Sequence, residues 1–137
     1  MASALVDEAG LVAWGQGFAH TLRPPVVVGI SGELGTGKTT LVRAIAAALG
    51  VREPVTSPTF ALVHGYRGEA LQVFHVDAYR LGAADDARDL GFAEMLGEPD
   101  AVLLVEWPER LGATMPAADH QLRLAYAADD GVRRLEW

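Results

Sequence analysis

The sequence predicts a three-layer α/β fold with a small mixed sheet, flanking helices and antiparallel hairpins. Two continuous apolar runs, residues 26–30 and 101–105, are typical of strands buried on both faces. A glycine-rich loop and an amphipathic helical pattern follow the first run, and alternating segments further along indicate hairpins. The 137 residues suit one domain and leave no room for a large doubly wound sheet. We therefore predict a single domain over residues 1–137.

The first half of the chain contains two predicted helices on either side of a strand. Residues 7–22 carry apolar side chains three to four positions apart, and Pro24 ends the pattern. The strand at residues 26–30 follows, and residues 39–49 form the second helix, which Gly50 ends. The apolar faces consist of Leu11, Gly15, Phe18 and Leu22 in the first helix and Leu41, Ile45, Ala48 and Leu49 in the second.

The second half is predicted to contain two hairpins, formed by residues 60–66 with 71–76 and by residues 121–127 with 132–137. Between them, residues 83–96 are predicted to be helical in parts, with an interruption at Gly91. The buried strand at residues 101–105 follows that segment. This order of elements gives the mixed sheet its parallel centre and its antiparallel edges.

Composition excludes several classes of protein. The formal net charge is −7 and the arginines are scattered among 18 carboxylates, so an extended nucleic-acid-binding surface is not expected. The chain has no cysteine, which excludes disulfides and thiolate metal sites. No apolar run approaches the roughly 20 residues that a membrane helix needs, and residues 1–10 lack the basic start of a signal peptide. We expect a cytoplasmic protein that does not bind membranes.

The glycine-rich loop is a phosphate-binding motif. Residues 32–39 match the pattern G-x-x-x-x-G-K-[ST], and Lys38 is the single lysine of the chain. Glycines allow backbone N–H groups to turn toward an anion, and the following helix directs its N-terminus at the same point. Lys38 is expected to grip the β- and γ-phosphates, and the Thr39 hydroxyl is placed to bind Mg²⁺. The predicted fold is therefore P-loop NTPase-like.

Two carboxylates are candidates for the remaining chemistry. Glu106 directly follows the buried strand at residues 101–105, where a Mg²⁺-binding carboxylate is expected. Asp77 ends the strand at residues 71–76 and shares a strand face with His75. Asp77 is a candidate for orienting water, either directly or through the metal. His75 is expected to be a packed, hydrogen-bonded histidine.

Two further segments allow more than one interpretation. Ser57 and Thr59 lie between the second helix and the next strand, where nucleotide switches sense the γ-phosphate, but an ordinary proline-containing loop would also fit. Trp107 follows Glu106 and is interpreted as a core aromatic, with a partner-binding anchor as the alternative.

Taken together, the motifs resemble the TsaE family, the bacterial P-loop ATPases of tRNA threonylcarbamoyladenosine biosynthesis. The P-loop alone is generic, whereas the later segments in this order and spacing are much more specific. The segments that carry the resemblance are residues 32–40, Ser57-Pro58-Thr59-Phe60, His75-Val76-Asp77-Ala78-Tyr79-Arg80 and Val105-Glu106-Trp107-Pro108.

The resemblance implies an ATPase that uses ATP and Mg²⁺, is slow alone, and acts with TsaB and TsaD, reaching tRNA mainly through these partners. It implies catalytic roles for Lys38, Asp77 and Glu106, and metal binding by Thr39 and Glu106. The residues that it implies in nucleotide binding are Glu33, Leu34, Gly35, Thr36, Gly37, Lys38, Thr39, Thr40, Ser57, Thr59 and Arg133. The chain departs from the family pattern at two places. Leu11 replaces a threonine that many members carry in the first helix, and Val132 follows Gly131 where members often have arginine.

Three other functions compete with this interpretation. A small-molecule kinase would use the same loop, with Asp77 as base and an arginine-bearing lid, for which Arg88 and Arg110 are the candidates. A GTP-dependent switch needs an Asn-Lys-x-Asp segment, which a chain without asparagine does not contain. A non-enzymatic nucleotide-binding partner would not need both Asp77 and Glu106.

Overall fold

The computed structural model describes residues 1–56, 62–79, 81 and 90–137. The elements in chain order are β1 (Ser3–Val6), α1 (Glu8–Ala19), β2 (Val26–Ser31), α2 (Lys38–Ala48), β3 (Val63–Arg67), β4 (Gln72–Asp77), α3 (Phe92–Leu96), β5 (Ala101–Glu106), β6 (His120–Tyr126) and β7 (Arg133–Glu136). A 3₁₀ segment, Pro108–Thr114, connects β5 to β6. The longest described helix is α1, with 12 residues. None of the described helices combines the length and the apolar character that a membrane crossing requires.

The strands of the described ranges form a seven-stranded mixed sheet in the order β1-β7-β6-β2-β5-β4-β3. The centre is parallel, because β2 pairs with both β5 and β6, and β4 pairs with β5 in the same direction. Both edges are antiparallel, with β3 against β4 and β1 and β6 on either side of β7. The carboxyl ends of the parallel strands therefore meet at one edge of the sheet, where ligands bind in α/β folds.

Helices cover the two faces of the sheet and make the three layers. On one face, α1 and α2 pack together and bury Leu11, Leu41 and Ile45 completely. The other face carries α3 and the 3₁₀ segment, whose Met95 and Leu111 pack with buried side chains of β2 and β5. The alternate residues of β2 and β5 supply both cores, which explains why these two strands are continuous apolar runs.

The predicted elements agree with the structure except at their ends, at one strand and at the 3₁₀ segment Pro108–Thr114, which was not predicted. The first helix begins at Glu8, after Asp7 caps it by accepting a hydrogen bond from the Gly10 N–H at 2.7 Å, and it ends at Ala19 instead of continuing to residue 22. The strand β1 was not predicted. The two hairpins are present, formed by β3 with β4 and by β6 with β7. Residues 60–61 of the predicted strand and 83–89 of the predicted helix lie outside the described residues.

Two glycines of α1 provide a matched test of the contact between the two helices. A Cβ at Gly15 would lie 2.9 Å from Leu41 Cδ1 and 3.1 Å from Ala44 Cβ, whereas a Cβ at exposed Gly17 would meet nothing within 4 Å. Gly17→Ala should stabilise the protein by up to about 1 kcal/mol through helix propensity. Gly15→Ala gains the same propensity but overpacks the core, so it should be about 1–3 kcal/mol less stable than Gly17→Ala. Urea unfolding of both variants measures the difference, and equal stabilities would contradict this account.

Candidate active site

The glycine-rich loop joins the carboxyl end of β2 to the start of α2. Gly35 and Gly37 have φ values of 79° and 105°, which glycine adopts without strain. Both positions also lie in close contact with neighbouring side chains. A Cβ at Gly35 would be 2.7 Å from the Tyr126 hydroxyl, and one at Gly37 would be 2.5 Å from Arg133 Nη1. The loop conformation therefore depends on glycine at both positions.

Internal hydrogen bonds hold the loop in place. The buried Thr36 hydroxyl donates to the Glu33 carbonyl at 2.7 Å. The Tyr126 hydroxyl, from β6, donates to the Leu34 carbonyl. Thr36 thus supports the loop from within, while the exposed Glu33 contributes its main-chain carbonyl. Thr36 and Glu33 were both predicted to bind nucleotide, and neither side chain lines the cavity described below.

Lys38 is buried at the start of α2 with its ammonium group directed at the loop. Its Nζ donates to the carbonyls of Gly32 and Glu33 at 2.5 and 2.8 Å, and lies 4.4 Å from the centre of the Trp107 ring. Burial lowers the pKa of Lys38, and the carboxylates of Glu106, Asp77 and Glu109 oppose that shift. The ammonium group is therefore a desolvated cation that contacts two carbonyl acceptors and an aromatic face. An anionic oxygen would compete strongly with the two carbonyls for its hydrogen bonds.

Glu106 is the buried carboxylate of the site and is 2% exposed. The Thr39 hydroxyl lies 3.1 and 3.2 Å from its two carboxylate oxygens, Oε1 and Oε2. His75 Nε2 also lies 2.5 Å from Oε2. His75 is fully buried and hydrogen-bonded, as predicted. The last residue of β5 is thereby joined to the first turn of α2.

Asp77 lies beside Glu106, because the two residues are register partners in the parallel pair β4 and β5. Its Oδ1 accepts a hydrogen bond from the Tyr79 N–H at 3.0 Å. Burial raises the pKa of Asp77, the Tyr79 hydrogen bond lowers it, and the nearby Glu106 carboxylate adds to the increase. Two carboxylates at adjacent strand ends thus face the ammonium group of Lys38.

These groups line one cavity of about 380 Å³ at the carboxyl edge of the sheet. Most of the predicted site residues are brought together there, namely Leu34, Gly35, Gly37, Lys38, Thr39, Thr40, Asp77, Glu106 and Arg133. Ser57 and Thr59 lie outside the described residues, as does Arg88. The cavity also contains three residues that sequence reasoning did not assign to the site, Glu8, Tyr79 and Trp107.

Glu8 and Arg133 reach the cavity from opposite ends of the chain. The antiparallel pairing of β1 with β7 places Val6 opposite Arg133, and α1 begins two residues later. Glu8 then occupies the first turn of α1, after the Asp7 cap. The capping residue is the sequence signal that could have located Glu8 at a helix start, but its place beside the loop depends on the unpredicted strand β1.

Two aromatic side chains, Tyr79 and Trp107, line the cavity together with the loop. The rings of Tyr79 and Trp107 lie 5.1 Å apart, and the guanidinium of Arg110 lies over both rings at 5.1 and 5.5 Å. Trp107 has a φ of 57°, and its N–H donates to the Ile30 carbonyl at 3.2 Å. The Trp107 side chain packs against the core cluster that contains Val105 and Leu111, as predicted, and also covers Lys38, which was not predicted.

The donor set at the centre of the cavity fits Mg²⁺. A hydroxyl and a carboxylate are the hard oxygen ligands that this ion prefers, and Thr39 and Glu106 already converge. Within the described ranges, no cluster of three or more His, Asp or Glu side chains is arranged as a metal cage. Mg²⁺ usually keeps several waters and binds one or two protein carboxylates together with phosphate, so two protein ligands suffice.

The loop between a buried parallel strand and a helix, with carboxylates at the ends of two strands, defines an α/β protein with a P-loop-like fold. The crystal structure of YdiB from Bacillus subtilis shares it, with a TM-score of 0.79 and 27% sequence identity over 98% of this chain and 82% of that chain.

Sequence comparison then gives the family. The family model described as threonylcarbamoyl adenosine biosynthesis protein TsaE matches residues 5–135. A tRNA threonylcarbamoyladenosine biosynthesis protein TsaE from Streptomyces coelicolor is 45% identical over 113 residues, which cover 80% of this chain and 74% of that protein. The protein of that name from Treponema pallidum is 36% identical over 116 residues, with 85% and 84% covered. The chain belongs to the TsaE family, and the resemblance seen in its motifs is confirmed.

The raised pKa of Asp77 predicts how the stability of the folded protein depends on pH. The folded protein holds a proton at Asp77 more tightly than the unfolded chain does, so stability falls as the pH rises from the ordinary value of 3.8 through the folded pKa. As the pH rises, the charge of Asp77 becomes a penalty on the folded state, and Asp77→Asn removes it. We expect the thermal midpoint of the ligand-free variant to exceed that of wild type at neutral pH, and the difference to shrink on acidification.

The matched control is Asp130→Asn, which makes the same charge change at an exposed position of the β6–β7 turn. The thermal midpoint of Asp130→Asn should stay closer to that of wild type than the midpoint of Asp77→Asn does across the same pH series. A midpoint for Asp77→Asn below that of wild type at neutral pH would show that the carboxylate stabilises the fold, contrary to the direction of its pKa.

Proposed function

We propose that this chain is a Mg²⁺-dependent ATPase that supports tRNA threonylcarbamoyladenosine modification together with the TsaB and TsaD proteins. One observation carries the proposal. The loop lysine, the Thr39–Glu106 pair and Asp77 converge on a single cavity at the carboxyl edge of the sheet. Phosphoryl transfer to water needs phosphate neutralisation, a metal and a group that positions the nucleophile, and these residues supply a candidate for each.

Phosphate binding would use the loop and Lys38. The start of α2 would direct the positive end of its helix dipole at the anion, as helix N-termini do in phosphate-binding loops. Lys38 would exchange its bonds to the carbonyls of Gly32 and Glu33 for bonds to phosphate oxygens. The exchange is favourable because the ammonium is desolvated where it lies, and a charged acceptor forms a stronger hydrogen bond than a carbonyl does.

Metal binding would use Thr39 and Glu106, and Mg²⁺ would supply neutralisation of the charge that develops on the phosphates. Glu106 is already held beside Thr39, so little reorganisation is needed. Asp77 lies beside Glu106 at the end of the neighbouring strand β4 and is our candidate for orienting the attacking water. Its raised pKa accords with a group that accepts a hydrogen bond from water in a partly dry site.

The threonylcarbamoyladenosine role comes from the family, whose members carry this biosynthesis in their names. The net charge of −7 supports a protein that meets tRNA through partners, because a direct grip on phosphates needs clustered cations.

The test is Mg²⁺-dependent ATP hydrolysis by the purified protein, alone and with TsaB and TsaD from the same organism. The proposal predicts slow turnover alone and a strong increase when both partners are present. Steady turnover without any response to the partners would contradict the proposed role. Faster phosphoryl transfer to a metabolite than to water would instead establish the small-molecule kinase.

A further inference from the structure

We infer that His75 is a positioning residue that fixes the Glu106 carboxylate for Mg²⁺ binding. The inference rests on the proposed function, because it concerns the same metal site. His75 is not among the residues that line the cavity, and its hydrogen bond is to Glu106, so it would act on the metal through that carboxylate.

The contact between the two side chains is short and shielded from water. His75 is 0% exposed and Glu106 is 2% exposed, and Nε2 lies 2.5 Å from Oε2. The two residues come from the neighbouring parallel strands β4 and β5 and point to the same face of the sheet. A hydrogen bond to a charged group in such surroundings is strong, so the ring restricts the rotation of the carboxylate.

Two side chains from different elements hold the Glu106 carboxylate. The Thr39 hydroxyl lies 3.1 Å from Oε1 and 3.2 Å from Oε2, and the ring of His75 contacts Oε2 at 2.5 Å. With Oε2 also held by the ring, the carboxylate stays beside the start of α2, where the other proposed metal ligand is located. Partners of this kind orient metal-binding carboxylates in many proteins.

The second ring nitrogen of His75 suggests that the histidine is present for its contact with Glu106 and not for stability. Nδ1 of His75 is buried and has no hydrogen-bond partner in the part of the chain that the structure describes. An unsatisfied buried polar atom costs stability, and an apolar side chain would avoid that cost. The ring directs its hydrogen bonding at Glu106 alone, which accords with a role in orienting that carboxylate.

Calorimetric binding of a non-hydrolysable ATP analogue, with Mg²⁺ and with EDTA, tests the inference without relying on turnover. His75→Leu removes the donor and keeps an apolar side chain in the core. We expect the Mg²⁺ concentration for half-maximal enhancement of analogue binding to rise about 10-fold. Binding in EDTA should stay at the wild-type level, because the loop and Lys38 are untouched.

Two conservative variants separate positioning from packing. The amide nitrogen of His75→Gln lies as far along the side chain as Nε2 and should restore most of the Mg²⁺ response, whereas the shorter His75→Asn should not. This pair carries the test even if His75→Leu does not fold. Equal Mg²⁺ responses of Gln, Asn and wild type would overturn the inference.

The two proposals fail in different ways. If wild type itself binds the analogue equally with Mg²⁺ and with EDTA, the proposed Mg²⁺-dependent function is wrong. If wild type responds to Mg²⁺ and all His75 variants respond identically, only the positioning role is wrong. Variants that melt at lower temperature but keep the wild-type Mg²⁺ response would assign His75 to stability alone.

Discussion

Lys38→Ala should weaken ATP binding by about 100-fold or more and abolish detectable hydrolysis, while the protein still folds. The variant removes the ammonium that donates to the loop carbonyls and that would bind phosphate oxygens. Charge-assisted hydrogen bonds contribute about 1.5–3 kcal/mol each, so losing two of them accounts for a change of this size. Equilibrium binding of a fluorescent ATP analogue measures the loss, and circular dichroism checks the fold.

Arg52→Ala is the control for Lys38→Ala. It removes one positive charge from an exposed position remote from the cavity. Its affinity for the analogue should equal that of wild type, since screened surface charges contribute little at this distance. Similar losses in both variants would mean that overall charge, and not contact with phosphate, governs binding.

Glu106→Gln should lower Mg²⁺-dependent turnover by about 100-fold while leaving ATP binding in EDTA unchanged. The amide keeps the size of the side chain and still accepts a hydrogen bond from Thr39, but it removes the negative charge that a divalent cation requires. Weaker Mg²⁺ binding should lower kcat more than it raises KM, because the charge that develops during phosphoryl transfer is then poorly neutralised. Steady-state hydrolysis with TsaB and TsaD present is the measurement.

Glu109→Gln makes the same charge change three residues further along. Glu109 is exposed and accepts a hydrogen bond from the Ser31 hydroxyl at 3.2 Å, outside the cavity. It should retain most of the wild-type turnover, because the electrostatic effect of Glu109 on Lys38 is the smallest of the three nearby carboxylates. Equal activity of Glu106→Gln and wild type would remove Glu106 from the mechanism.

The parts of the fold that local pattern determines were predicted from the sequence. The strands β2 and β5 are buried on both faces, so their apolar runs are unambiguous, and α2 is bounded by glycines. The strand β1 was missed because Ser3–Val6 is four residues long and carries no alternation of polar and apolar side chains. Its partner is β7, so the pairing arises from contacts between distant parts of the chain.

Only part of the candidate site was predicted from the sequence, because some of its contacts also join distant parts of the chain. Lys38 and Thr39 follow from a contiguous motif, and Glu106 follows from a strand end. The contact between His75 and Glu106 depends on which strands are neighbours, and the cover that Trp107 forms over Lys38 depends on the unusual backbone at residue 107. Arg133 was a candidate in the last hairpin, where the chain departs from the family pattern, and the antiparallel pairing of β7 brings it beside Gly37.

The order of the strands also has a consequence for synthesis on the ribosome. The P-loop strand β2 acquires its partners only when β5 and β6 have emerged, and β1 waits for β7, since Ser3 pairs with Glu136. Pairings of such long sequence separation form slowly. A nascent chain that ends before residue 133 therefore has the phosphate-binding motif but lacks Arg133, which lines the cavity. Under the proposed function, nucleotide would stabilise the complete fold once translation has supplied the last strand.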